Sequence, residues 1–186
     1  MSDIRELLNI GGGQFVSRMD VSPGVRAAWR LLFDGNVDEA EKRFRKLVAE
    51  NGKDAEALAG LAICVAEAGG RFVTAEKLAQ MAVRIAKRGP AGYLALGFIN
   101  MRASRLEEGY GYLMKAQNLA PEDPRLKAGL VWYQSERPPV IIDLAREHPI
   151  NRALGGARDF LDSPARRAAA AVFVGVGISL TRALIA

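Results

Sequence analysis

The chain has 186 residues, of which 49% are hydrophobic and 25% charged, with a formal net charge of +5. That length suits one domain, or one domain and a tail, and the composition excludes disorder as the default state. The single cysteine, Cys64, excludes an internal disulfide and fits a reducing compartment. Cys64 lies in an apolar helical stretch, where a small buried hydrophobe is its expected role. From Arg137 onward there are seven Arg against four acids, so +3 of the net charge falls there. A basic tail of this kind suits anionic lipid headgroups. Aromatic residues are not interleaved with the bases, which removes the stacking platform a single-stranded nucleic acid would need. No nucleic-acid partner is expected.

Residues 1–20 hold a short helical stretch from Asp3 to Ile10, then Gly11-Gly12-Gly13, which reads as a hinge or linker. The triple glycine lacks the Lys and Ser/Thr of a phosphate loop. The apolar run at this end is too short for a signal peptide, so the following residues are expected on the cytoplasmic side.

Ser22-Pro23 then opens a helix as N-cap and first-turn proline. Residues 21–54 form a first helical pair carrying Ala28, Gly35, Ala40, Phe44 and Leu47. Asn51-Gly52 is expected to end it through a left-handed residue. Residues 55–89 form a second pair, with Leu58, Leu61, Ala62 and Val65 on one helix and Phe72, Ala75, Ala79 and Ala82 on the other. Its register requires one inserted residue near Ala68-Gly69-Gly70, and Gly89-Pro90 closes it. Residues 90–123 form a third pair, with Tyr93, Leu96 and Gly97, then Gly109, Leu113 and Ala116, and Pro121 at the end. Ser104 and Glu107 read as a capping box for its second helix. Asp123-Pro124 starts a last helix, 124–136, placed to cover the open end of the stack.

Three units in near register, including the turn Gly35-Asn36-Val37-Asp38-Glu39-Ala40, resemble tetratricopeptide repeats, helix–turn–helix units of 34 residues. The resemblance covers residues 21–136. It implies an all-α fold: an antiparallel helix-pair solenoid of three hairpins and a capping helix, acting as a non-enzymatic protein-interaction scaffold. In this family the first helices of successive repeats line a concave face. The matching positions here are Val25, Trp29, Leu32, Ala59, Ile63, Leu94, Phe98, Met101, Ala128 and Trp132. A stripe at helical spacing is commonly core, but Leu31, Leu61, Leu96 and Leu130 already supply core positions. The row is therefore read as a partner-binding groove for an apolar or amphipathic protein helix. It carries no Lys or Asn at the positions that clamp a peptide carboxylate in chaperone cofactors of this family. An apolar groove in a three-repeat protein is similar instead to class II chaperones of type III secretion, which hold hydrophobic clients in the cytoplasm. The charged run Glu41, Lys42, Arg43, Arg45 and Lys46 reads as a solvated outer face of mixed-sign pairs.

Residues 137–167 form a basic linker, with two short helices interrupted at His148-Pro149 and Gly155-Gly156. His148, the only histidine, has no second ligand to make a metal site and is placed near a helix end, against its carbonyls. Residues 168–186 form a hydrophobic C-terminal helix about 28 Å long, against a hydrocarbon core of about 30 Å. With Arg166-Arg167 before it and Val172, Phe173, Val174, Val176, Ile178 and Leu180 along it, the segment reads as a tail anchor holding the repeats at the cytoplasmic face of a membrane. The alternative is a helix docked on the repeats of a soluble cytoplasmic protein, for which the small residues Ala171, Gly175 and Ser179 are equally suited. No carboxylate pair, triad or metal cluster has catalytic spacing, so neither enzyme activity nor a cofactor is expected.

Overall fold

The computed structural model describes residues 21–136 and 148–161. The described residues form eight α-helices and no strand. The chain divides into two compact units, up to Arg137 and from Pro138. The first unit contains α1 (Pro23–Phe33), α2 (Val37–Glu50), α3 (Ala55–Gly69), α4 (Phe72–Ile85), α5 (Ala91–Arg102), α6 (Leu106–Leu119) and α7 (Pro124–Glu136). The second contains α8 (Pro149–Leu161).

Within the first unit each helix packs on its chain neighbours, and the odd-numbered helices also pack on one another, α1 on α3, α3 on α5 and α5 on α7. This arrangement follows from composition. In α3 every residue from Ala57 to Ala66 is buried, and in α5 only Tyr93 escapes burial between Ala91 and Met101. Helices apolar all round need neighbours on every side. The even helices are amphipathic and bury only a stripe: Ala40 and Phe44 in α2, Ala75, Ala79 and Ala82 in α4, and Gly109, Leu113 and Ala116 in α6. These are residues at which the sequence pattern places helix–helix contact. Cys64 sits fully buried in α3, where burial, reinforced by the Glu41 carboxylate, pushes its thiol far above the usual range.

Backbone geometry recurs along the unit. The turns inside the three hairpins each hold one left-handed residue, Gly35 (φ 79°), Gly70 (φ 60°) and Ser104 (φ 62°). Each is followed by an N-cap with ψ near 60°: Asn36 at 62°, Arg71 at 57° and Arg105 at 67°. The helices that close the hairpins end on Asn51, Ala86 and Ala120, which share negative φ with ψ of 89°, 74° and 80°. Both series step by 35 and then 34 residues, so the extra residue falls between Asn51 and Gly70. An ion-pair series shares the period. Arg71 reaches back to Glu41 at 3.4 Å, and Arg105 reaches back to Glu76. Such exposed pairs add little stability, but they mark which residues of successive hairpins are equivalent.

Several local expectations change. Ser104 and Glu107 do not form a capping box. Ser104 occupies the left-handed slot that glycine fills in the other two turns, its N–H donating to Met101 and the N–H of Arg105 to Asn100, so Arg105 becomes the N-cap. Glu107 instead accepts from the Tyr133 hydroxyl at 3.1 Å, tying α6 to α7. Asn51 has a φ of −140° and is not left-handed, so α2 stops without that device. The fourth helix ends at Ile85, before Gly89-Pro90, and Pro90 caps the start of α5. In the second unit α8 runs unbroken through Gly155-Gly156, since glycine costs a helix about 1 kcal/mol per residue without forbidding it. His148 stands at the start of α8, its Nδ1 accepting from the Ile150 N–H at 3.3 Å, and so meets donors rather than carbonyls. The N-caps at Ser22 and Asp123 form as expected, through the backbone N–H groups of Val25 and Arg125.

Two substitutions test this packing. A Cβ on Gly60 would lie 2.2 Å from Cζ of Phe44, whose ring is fully buried between α2 and α3. Gly60→Ala is expected to cost about 1–3 kcal/mol by overpacking, read by denaturant unfolding. Ser104→Gly relieves a left-handed conformation costing an L-residue roughly 1–2 kcal/mol, against the greater chain entropy of glycine. A gain of up to about 1 kcal/mol is expected from the same measurement.

Candidate partner-binding site

The row singled out in the sequence is assembled by the odd helices: Val25, Trp29 and Leu32 on α1, Ala59 and Ile63 on α3, Leu94, Phe98 and Met101 on α5, and Ala128 and Trp132 on α7. All ten join one apolar cluster, nine of them buried and Ala128 half-buried. The rings of Phe98 and Trp132 lie 6.0 Å apart, linking α5 to α7. Trp29 packs edge-on against Phe44 at 5.6 Å and beside Phe33 at 5.8 Å. The row is thus brought together but covered in the folded chain. The core leucines cited against it are no more deeply placed: Leu61 and Leu96 are buried, Leu31 and Leu130 only half-buried. Trp29 and Phe98 therefore carry stability as well as lining the row.

Against the row lies a charge cluster that sequence reading did not find. Arg125, at the start of α7, is 3% exposed. Its Nη1 and Nη2 donate to Glu56 Oε2 at 2.6 Å and Oε1 at 3.0 Å. On another edge, Nε and Nη2 donate to Asp123 Oδ1 at 2.9 Å and Oδ2 at 2.6 Å. Asp123 Oδ1 also takes the Arg125 backbone N–H at 3.0 Å, so one carboxylate caps the helix and holds the side chain. The guanidinium face sits 4.7 Å from the centre of the Trp29 ring. Burial alone would lower the Arg125 pKa, but the bond from Asp123 and the charge and bond of Glu56 outweigh it, and the net direction is upward.

The fork geometry explains why arginine holds this place. Four N–H bonds in one plane meet two carboxylates, and the flat face is left to stack on an indole. Lysine has neither the second edge nor the face. The cluster joins α7 to Glu56 on α3 and Trp29 on α1, although α7 packs mainly on α5 and α6. The only hint in the sequence is that Glu56 and Arg125 each stand second in their helices. Nothing in either stretch announces a contact across 69 residues. The Trp29 Nε1–H is buried and meets no acceptor among the described residues.

The charged run on α2 behaves as expected except at Glu41. Glu39 pairs with Lys42 and Arg43, and Lys46 with Glu50, on the outer solvated face, while Glu41, paired with Arg45, is largely buried. Among the described residues no group of three or more His, Cys, Asp or Glu is placed to hold a metal ion. Among them also, no helix is long and apolar enough to cross a membrane. The proposed anchor residues Val172, Phe173, Val174, Val176, Ile178 and Leu180 lie outside the described residues.

Removing Arg125 strands two carboxylates in a covered site. Arg125→Ala is expected to destabilise the chain by about 3–5 kcal/mol, and Arg125→Lys to recover less than half of that loss. Paired denaturant melts of the two variants read the difference. Equal stability of Arg125→Ala and the parent would show that the cluster contributes no net stability.

Comparison with known protein families and with curated proteins finds no match to this chain.

Proposed function

We propose that the first unit is a tetratricopeptide-type solenoid of three hairpins and a covering helix, working as a non-enzymatic scaffold that takes an apolar or amphipathic protein helix on its concave face. The observation that carries this reading is the shared 35- and 34-residue step of turn geometry, helix ends and ion pairs along the unit. Equivalent hairpins stacked with one period present their first helices side by side. The side chains those helices contribute to the row are apolar, and a partner recognised there is recognised by burial of its own apolar face.

The row is covered in the free chain, so uptake of a partner requires the concave face to open. Arg125 ties α7 to α3 and to α1, and its contacts with Glu56 and Trp29 are among those that opening breaks. A scaffold of this kind protects its apolar face until a client displaces that cover. This favours the chaperone-like form of the reading, in which a hydrophobic client is held before delivery. The segment 168–186 is the proposed tether to the cytoplasmic face of a membrane; without insertion of that segment the same scaffold works as a soluble chaperone.

Both tryptophans of the chain, Trp29 and Trp132, belong to the row, so intrinsic fluorescence reports on it selectively. Titrating the full chain with a synthetic amphipathic Leu-rich helix is expected to shift tryptophan emission and saturate. An uncharged non-helical peptide of equal length leaves the emission unchanged. Titrations that coincide for the two peptides would overturn the reading.

A further inference from the structure

Six large apolar side chains are left exposed among the described residues, and three of them stand on α4: Val73 (70% exposed), Met81 (39%) and Ile85 (41%). The same outer face carries Lys77 and Arg84, and the exposed Lys87 and Arg88 follow in the connection to α5. At 3.6 residues per turn, Val73, Arg84, Lys77 and Met81 fall within about 80° of one another, with Ile85 about 40° beyond. The only acid on α4, Glu76, is engaged by Arg105. Among the described residues, none of the four bases is paired with a carboxylate. The helix C-terminus accounts for Arg84. It does not account for Lys77 or for three apolar side chains kept in water.

We propose that this face of α4 rests on an anionic lipid bilayer, with Val73, Met81 and Ile85 entering the boundary between headgroups and acyl chains and the four bases meeting lipid phosphates. Interleaving suits that surface. Each apolar side chain needs only to sink a few ångströms, while the long basic stems lie along it with their charges at headgroup level. A protein partner fits less well. The outer face of a 14-residue helix is about 21 Å long and about 10 Å wide, far short of the roughly 800 Å² per partner that a stable interface buries. This inference is independent of the concave-face reading, since α4 contributes none of the ten residues of the row.

The test uses the full chain carrying Met81→Cys, labelled with an environment-sensitive dye; the native Cys64 is buried and stays unlabelled. With vesicles in which about one-third of the lipid is anionic, the dye emission is expected to move to the blue and to be quenched by spin-labelled lipid. Neutral phosphatidylcholine vesicles leave it unchanged. The shift should disappear in about 0.5 M salt, which screens headgroup attraction within a few ångströms. Adding Lys77→Glu, Arg84→Glu and Arg88→Glu should weaken it by about 100-fold or more, at about fivefold per lost base, with the helical circular dichroism retained. A tether through residues 168–186 would hold the chain on neutral vesicles without moving this dye, so the two membrane contacts are read separately. The proposal is overturned by emission that stays unchanged on anionic vesicles, or by an equal shift in the charge-reversed chain. It is overturned equally if polyglutamate shifts the emission and vesicles do not, which would make the face a site for acidic proteins.

Discussion

Two helices of this protein have no polar side to turn to water, and the first unit is built to satisfy them. Burial along α3 from Ala57 to Ala66, and along α5 from Ala91 to Met101 with Tyr93 alone excepted, means each needs partners around its whole circumference. A flat layer of helices would leave one side open. The solution found here packs each on the even helices before and after it and on the odd helices to either side. The even helices then need only one apolar stripe, and they make close contact through small side chains such as Ala75, Ala79 and Ala82. Where α5 and α6 come closest, Gly97 and Gly109 face each other, and a Cβ on Gly109 would stand 2.9 Å from the Gly97 carbonyl oxygen.

Arg125 shows what such a structure asks of its last helix. The last helix of the unit, α7, packs mainly on α5 and α6 and draws on polar and aromatic links to complete its hold. It uses the Arg125 fork on Glu56, the Tyr133 hydroxyl on Glu107, the stacking of Tyr133 on Tyr110 at 4.3 Å and the pairing of Trp132 with Phe98. These contacts are directional where the interior ones are not. A covering helix held by oriented bonds has one seat, whereas one held by methyl groups alone can slide along the surface.

Much of this was legible in the sequence, and the limits follow a physical line. The helix pairs, the N-caps at Ser22 and Asp123 and the left-handed glycines at Gly35 and Gly70 are all local, set by residues within a few positions of each other. Ser104 misled because serine before an acid is a capping signal, while the turn needed a left-handed residue at that place more than it needed a cap. The two glycines of α8 misled in the opposite way, by marking a break that neighbouring helical residues override. The row from Val25 to Trp132 was found as a set of residues but not as a covered one. Cover depends on how several helices pack together, which no single stretch of sequence encodes. The Arg125 cluster was out of reach because two of its partners, Glu56 and Trp29, come from helices far away in the chain.

Cys64 turns the enclosure of α3 into something measurable. The thiol is fully buried, held protonated by its surroundings and alone in the chain. A reagent that captures thiols can reach it only during excursions in which the central helix comes away from its neighbours. The rate of capture therefore counts those excursions in the unmodified protein, with no competing sulfur to confuse the reading. Nature has left this chain a single-site recorder of its own breathing, placed where separation of α3 from the helices packed on it would register.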